Sequence, residues 1–378
     1  MKNKIIVAGH ICLDITPIFT CEKTEHLADI LSPGKLVQMG TVDIHTGGAV
    51  ANTGLAMKLL GADVILMGKI GRDAFGEIVL NILKKYDAHE GMIISAEECT
   101  SYSVVLAVPG IDRIFLHNPG ANNTFRASDI PMDMLSEASL FHFGYPPLME
   151  TMYEKEGKQL VEMMKQVKSA GIATSLDMAA VDAGSAAGKA DWDRILQKVL
   201  PYTDFFVPSV EELCYMLDRE RFDQWLQRAG GRDVTEILDI DKDVRPLADK
   251  CMEYGAKVVL IKCGAPGLYY RSASVKVLQD IGCKAELDLS LLADREGFET
   301  SFVPDAVLSG TGAGDTSIAA FLTAVLEGCS LEESVRLAAA TGALCVSAYD
   351  ALSGLRPLEE IKRKISSGWR KRNAGEYE

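Results

Sequence analysis

One stretch limits what this chain can become more than any other. Leu308-Ser309-Gly310-Thr311-Gly312-Ala313-Gly314-Asp315-Thr316 runs straight into Ser317–Leu326, an apolar segment with helical spacing. Gly310, Gly312 and Gly314 carry no Cβ, so the backbone can approach a ligand closely and take positive φ. At the start of the helix that follows, the first N–H groups lack intrahelical partners and the macrodipole is positive. Such a turn is a ready anion site. Asp315 stands against that logic, an acid where a phosphate would also want to be. It is either a helix cap or, beside a phosphoryl group, a base for an attacking hydroxyl. The P-loop needs Gly-Lys-Ser/Thr where this turn has Gly314-Asp315-Thr316, and alternate glycines do not make Gly-x-Gly-x-x-Gly.

The rest of the chain supplies a scaffold for such a turn. Ile5-Ile6-Val7-Ala8-Gly9 reads as a buried strand, with Asp14 just past its carboxyl end, where open α/β sheets bind ligands. Thr46-Gly47-Gly48-Ala49-Val50-Ala51-Asn52 is a second glycine turn, opening an amphipathic helix that stops at Gly61. Asp63–Gly68 is the next strand, and a helix from Asp73 ends near Tyr86. Residues 103–107 and 113–117 alternate around Pro109-Gly110-Ile111-Asp112, a hairpin signal. With the irregular 15–46 stretch this hairpin is expected to form a small sheet over a cleft.

From 140 onward helices and strands alternate: strand 140–143, helix 149–169, strand 173–176, helix 190–199, strand 204–207, helix from 210, helix 244–254, strand 257–262. This argues an α/β fold with a doubly wound, mostly parallel sheet flanked by helices. Residues 218–243 and 280–299 are polar and read as surface insertions. Helices at 331–347 and 357–367 close the chain before the basic tail Arg370-Lys371-Arg372-Asn373.

Composition sets the outer bounds. At 378 residues the chain can bury a large core. Its formal net charge of −14 argues against nucleic acid or an anionic membrane as a general partner, and means that an anionic substrate needs local help. Nine scattered cysteines without a Cys-x-x-Cys pair argue against structural zinc and disulfides, and point to a reducing cytoplasm. The opening residues lack a signal peptide's pattern, and no apolar run is long enough to span a bilayer.

With both glycine turns in hand, the chain resembles the PfkB (ribokinase-like) family of carbohydrate kinases. The early signature matches 46–56, 60–62 and Gly68-Lys69-Ile70-Gly71-Arg72-Asp73-Ala74-Phe75-Gly76; the late one matches Thr311-Gly312-Ala313-Gly314-Asp315-Thr316. The resemblance implies one ribokinase-like domain over 1–378, with a β-sheet lid from about 15–46 and 99–118. It further implies an ATP-dependent sugar kinase in which Asp315 is the catalytic base and the amides of Gly312, Ala313 and Gly314 form an anion hole. Asp14, Gly47, Gly48 and Asn52 would bind sugar hydroxyls, with Arg113, Asn118 and Tyr145 as specificity candidates. Thr311, Lys262, Gly264 and Gly267 would hold the nucleotide, and Ala339 and Ala343 would line its base. Glu212 falls on the last position of the family's Asn-x-x-Glu motif, which serves Mg²⁺ and phosphate.

Two departures stand out. Ser209 replaces the Asn of that motif, and Ser309-Gly310 replace an Asp-Thr that helps several relatives hold a monovalent cation, which argues against potassium activation. The resemblance also implies a homodimer paired through the lid sheets. Two alternatives stay open: a nucleoside kinase on the same fold, or a catalytically weak sugar-binding relative. An NAD-dependent dehydrogenase fits the alternation, but no Gly-x-Gly-x-x-Gly follows the first strand.

Overall fold

Ile5, Ile6, Val7 and Ala8 are apolar on both faces, and a strand so composed must be covered on both sides. In the computed structural model, which describes residues 3–111 and 113–372, strand Lys4–Gly9 is flanked by parallel neighbours, Asp63–Met67 on one side and Leu140–Gly144 on the other. Asp112 of the expected hairpin turn and Asn373 of the basic tail lie outside the described residues. Beyond Leu140–Gly144 the sheet continues through Ala173–Leu176, Phe205–Phe206 and Val258–Lys262, all parallel, then Gly267–Ser272 and Glu296–Thr300, both antiparallel. The expected doubly wound, mostly parallel sheet is present, eight strands wide.

Helices cover both faces. Ala49–Leu60, Ala313–Leu326, Leu331–Cys345 and Leu358–Ser366 pack on one core cluster. Glu150–Ser169, Trp192–Val199, Val210–Leu217 and Arg245–Glu253 pack on the other. From Lys4–Gly9 the chain first moves outward to Asp63–Met67 and later returns on the opposite side at Leu140–Gly144. That reversal opens a crevice beyond the carboxyl ends of the two central strands. Gly9 and Gly144 meet there: a Cβ on Gly9 would lie 2.2 Å from the Gly144 carbonyl oxygen.

A second sheet of four strands, in the order Val42–Gly47, Cys12–Pro17, Tyr102–Leu106, Ile114–Asn118, forms the expected lid. Only His10 and Ile11 separate Cys12–Pro17 from the first central strand, so the lid hangs directly over the crevice. Two expectations about the body need adjustment. The helix at 149–169 is interrupted, because Glu154 is extended and Lys155, Glu156 and Gly157 have positive φ. Gly157 abuts Ile195, whose Cγ2 would lie 2.7 Å from a Cβ there. The charged 218–243 stretch carries a helix, Arg219–Ala229, that buries Trp225 against the body, and its indole N–H donates to buried Asp243 at 3.1 Å.

Candidate active site

The late glycine turn is shaped by Gly312, which caps helix Ala313–Leu326 at φ 75, a left-handed conformation that favours glycine. The Ala313 amide bends back to the Gly310 carbonyl at 3.4 Å, and the Thr311 amide donates to Ser309 Oγ at 3.1 Å. The Gly312 and Gly314 amides have no partner among the described residues, which leaves donors at the positive end of a long helix. Gly314 also leaves room for a side chain: Lys262 Cδ, Cε and Nζ would lie 3.4, 3.5 and 3.8 Å from a Cβ there.

One residue on, Asp315 is 4% exposed and receives hydrogen bonds from three directions. Asn52 Nδ2 donates to Oδ2 at 3.1 Å and Thr53 Oγ1 to Oδ1 at 3.2 Å. The Tyr145 hydroxyl lies 2.8 Å from both carboxylate oxygens. The two glycine turns therefore meet, since Asn52 and Thr53 lie in the N-terminal half of helix Ala49–Leu60. Burial pushes the Asp315 carboxyl above its usual range, while the bond from Tyr145, the Lys262 charge and the bonds from Asn52 and Thr53 pull it back. A carboxylate raised toward neutrality is better matched to taking a proton than an ordinary one.

From Asp315 and Tyr145 a cleft of about 580 Å³ runs past Asp177, Glu212, Lys262 and Gly264 to Ala339, Ala343, Phe302 and Pro304. Lys262 Nζ donates to Asp177 Oδ1 at 2.6 Å and to the Val207 carbonyl at 2.8 Å. Ser209 and Glu212 form a capping box: the Glu212 amide donates to Ser209 Oγ at 3.3 Å and the Ser209 amide to Glu212 Oε2 at 2.9 Å. The departure at Ser209 thus makes a helix cap, and Glu212 lines the cleft beside it.

On the other side of Asp315, under the lid, Asp14 leans against Gly47, where a Cβ would be 2.2 Å from its Oδ2. Cys12 Sγ donates to Asp14 Oδ1 at 3.3 Å. Gly48, at φ 85, lies against His10, whose Nδ1 would be 2.6 Å from a Cβ on it. His10 was no sequence candidate. It is 2% exposed, neither ring nitrogen has a hydrogen-bond partner among the described residues, and burial followed by the His117 charge pulls its pKa down to about 3, so the ring is neutral. Its ring centroid lies 5.2 Å from that of His117 and 6.2 Å from that of Tyr145. The signal that could have found it is positional, a polar residue directly after a fully apolar strand.

Three candidates sit differently from expectation. Asn118 Oδ1 accepts from the Gly120 amide at 2.9 Å, so that side chain closes its own turn. Gly267 lies at a strand start outside the cleft lining, where a Cβ would strike the Glu299 carbonyl at 2.1 Å. Arg113 reaches across to the anion turn, donating to Ser309 Oγ at 3.2 Å and to Thr311 Oγ1. Thr53, like His10, was missed; mid-helix threonines give no sign of what they face.

An eight-stranded α/β sheet with a four-stranded lid, and a buried acid beside open helix-terminal amides, define a phosphotransferase of the ribokinase-like fold. A family model described as pfkB family carbohydrate kinase matches residues 2–357, and the chain belongs to that family. It is 24% identical over 331 residues to probable fructokinase-5 of Arabidopsis thaliana, covering 85% of this chain and 88% of that one. It is 23% identical over 340 residues to the 2-dehydro-3-deoxygluconokinase of Bacillus subtilis, covering 88% and 90%. A putative ribokinase II of E. coli, solved with ATP and Mg²⁺, superposes with a TM-score of 0.69 at 20% identity over 97% of this chain and 99% of that one. Among the described residues no helix is long and apolar enough to cross a membrane.

Proposed function

We propose that this carbohydrate kinase transfers the γ-phosphoryl group of ATP to a hydroxyl of an uncharged sugar or polyol, with Asp315 as the base. The observation that carries the reading is the meeting of Asp315 with Asn52 from one glycine turn and with open amides from the other. The acceptor oxygen forms its bond to the γ-phosphorus, the bond to the β–γ bridging oxygen breaks, and the acceptor proton passes to Asp315. The Gly312 and Gly314 amides, with Ala313 completing the turn, stabilise charge on the transferring group. Lys262 lies at the same place, a cation within reach of the phosphates. The small Ala339 and Ala343 leave a flat wall at the far end of the cleft, suited to the nucleotide base.

Mg²⁺ binds through one or two carboxylates plus substrate phosphates and waters. Glu212, which lines the cleft with only one oxygen engaged in its cap, fits that role. The ion would neutralise phosphate charge there. Asp14, Asn52 and neutral His10 on the acceptor side suit hydroxyl groups. With one carboxylate and no lysine among them, they oppose a sugar acid or a sugar phosphate.

Coupled ADP release across free sugars, polyols, sugar acids, sugar phosphates and nucleosides tests the reading. A neutral sugar or polyol should be preferred; a nucleoside preference would move the chain to that alternative. Calorimetric heat from a sugar without ADP release would mark a binding relative. Asp315→Asn should lower kcat by roughly 10²–10⁴ while keeping the melting temperature, the usual range for a positioned base. Near-full kcat in that variant removes Asp315 from the role.

A further inference from the structure

The Tyr145 hydroxyl stands where the base would receive its substrate. It is 2.8 Å from each Asp315 oxygen, the reach a general base needs to the hydroxyl it deprotonates. An ionised carboxylate offers about four acceptor positions. Asn52 takes one, Thr53 another, and the single O–H of Tyr145 lies between the two oxygens on the side of the cleft. With Tyr145 in place, a water molecule entering the cleft must compete with its hydroxyl for the base.

We propose that Tyr145 is a specificity-determining residue that keeps water from acting as the phosphoryl acceptor, its hydroxyl holding Asp315 until a substrate hydroxyl displaces it. The inference rests on Asp315 being the base. Water is present at every turnover and differs from the sugar in having no further hydroxyls. It cannot draw on Asp14, Asn52 or His10 to displace a tyrosine, whereas a polyol can. This is how remote binding energy becomes discrimination between acceptors.

The backbone is arranged to keep the ring there. Tyr145 has φ 67 and ψ 44, unusual for a bulky residue, and Pro146 and Pro147 follow it at once. Such conformations persist where the surroundings over-determine them, and they gather at functional sites. Burial, followed by the Asp315 and Asp177 charges, pushes the phenol well above its usual range, so it remains a donor.

The reaction being suppressed is hydrolysis. The water oxygen bonds to the γ-phosphorus, the bond to the bridging oxygen of ADP breaks, and one water proton goes to Asp315. ADP release from MgATP with no acceptor present measures it, so the acceptor need not be known. Tyr145→Phe keeps the ring and removes the hydroxyl, and should raise this hydrolysis roughly tenfold or more, a part of what a freed base can supply. Tyr145→Met serves where the Phe variant does not fold. Adding Asp315→Asn should cancel the gain. An unchanged or lower rate in the folded variant, as a structural tyrosine would give, overturns the proposal, and so does a gain that survives Asp315→Asn. Sugar phosphorylation by the unaltered protein is scored separately, so the kinase reading can stand while this one falls.

Discussion

Asp177 shows how tightly charge is balanced in the cleft. Its carboxylate is 2.6 Å from Lys262, yet burial pushes its pKa up to about 8; Lys262 pulls it back, and Glu212 and Asp315 push it further. Lys262 is pulled down by burial, but Asp177, Glu212 and Asp315 together hold its pKa above the usual value. Three acids thus share one ammonium. Because the folded protein binds the Asp177 proton more tightly than the unfolded chain, the stabilisation is complete below the ordinary value of 3.8 and is lost as pH rises through about 8. The melting temperature of the ligand-free protein should therefore fall across that window, and Asp177→Asn should flatten the fall. An unchanged slope in Asp177→Asn would assign it to another group. At this scale the sequence was partly legible. Asp315 and Asn52 sit inside recognisable motifs, whereas Asp177 and Thr53 act through partners far away in the chain, and nothing local marks them.

At the scale of elements, the two helices that begin at glycine turns carry the site, and their glycines do different work. Gly312 needs its left-handed φ, and a Cβ there would lie 2.3 Å from Ala351 Cβ, so Gly312→Ala should lose stability. Gly314 is inside the helix, and the nearest atoms to a Cβ would be Lys262 Cδ and Cε at 3.4 and 3.5 Å, ordinary contacts. Alanine is a better helix former than glycine by about 1 kcal/mol. Gly314→Ala should therefore melt no lower than the parent while kcat/KM for ATP drops at least roughly tenfold, because a methyl group covers the amide meant for phosphate. A folded variant with unaltered kcat/KM would show that phosphate does not approach there. Ala49–Leu60 and Ala313–Leu326 were readable as apolar runs opening at glycine turns, and both are buried on nearly every side. The break at Glu154–Gly157 was not, since the side chain that Gly157 makes room for, Ile195, lies on another helix.

For the molecule as a whole, alternation of helix and strand predicts a parallel sheet but not the order of its strands, and the order creates the crevice. Which lid residue reaches the body was equally hidden. Arg113 and Thr311 are 198 positions apart in the chain. Arg113 joins the lid sheet to the anion turn through Ser309 and Thr311, the residues beside the open amides. Under the proposed function, a lid held at that point would couple acceptor enclosure to the phosphate end of the cleft, because the same turn would be tightened by the transferring group. Removing the guanidinium should loosen the lid more than the body, since among the described residues Tyr102–Leu106 and Ile114–Asn118 belong to the lid sheet and not to the central one. In Arg113→Ala, amide hydrogen exchange should quicken through these two strands and stay unchanged in Lys4–Gly9 and Leu140–Gly144. The KM for the acceptor should rise more than the KM for ATP, because the acceptor is the substrate the lid encloses. Equal protection of the lid strands in both proteins would show that the contact with Thr311 does not hold the lid shut.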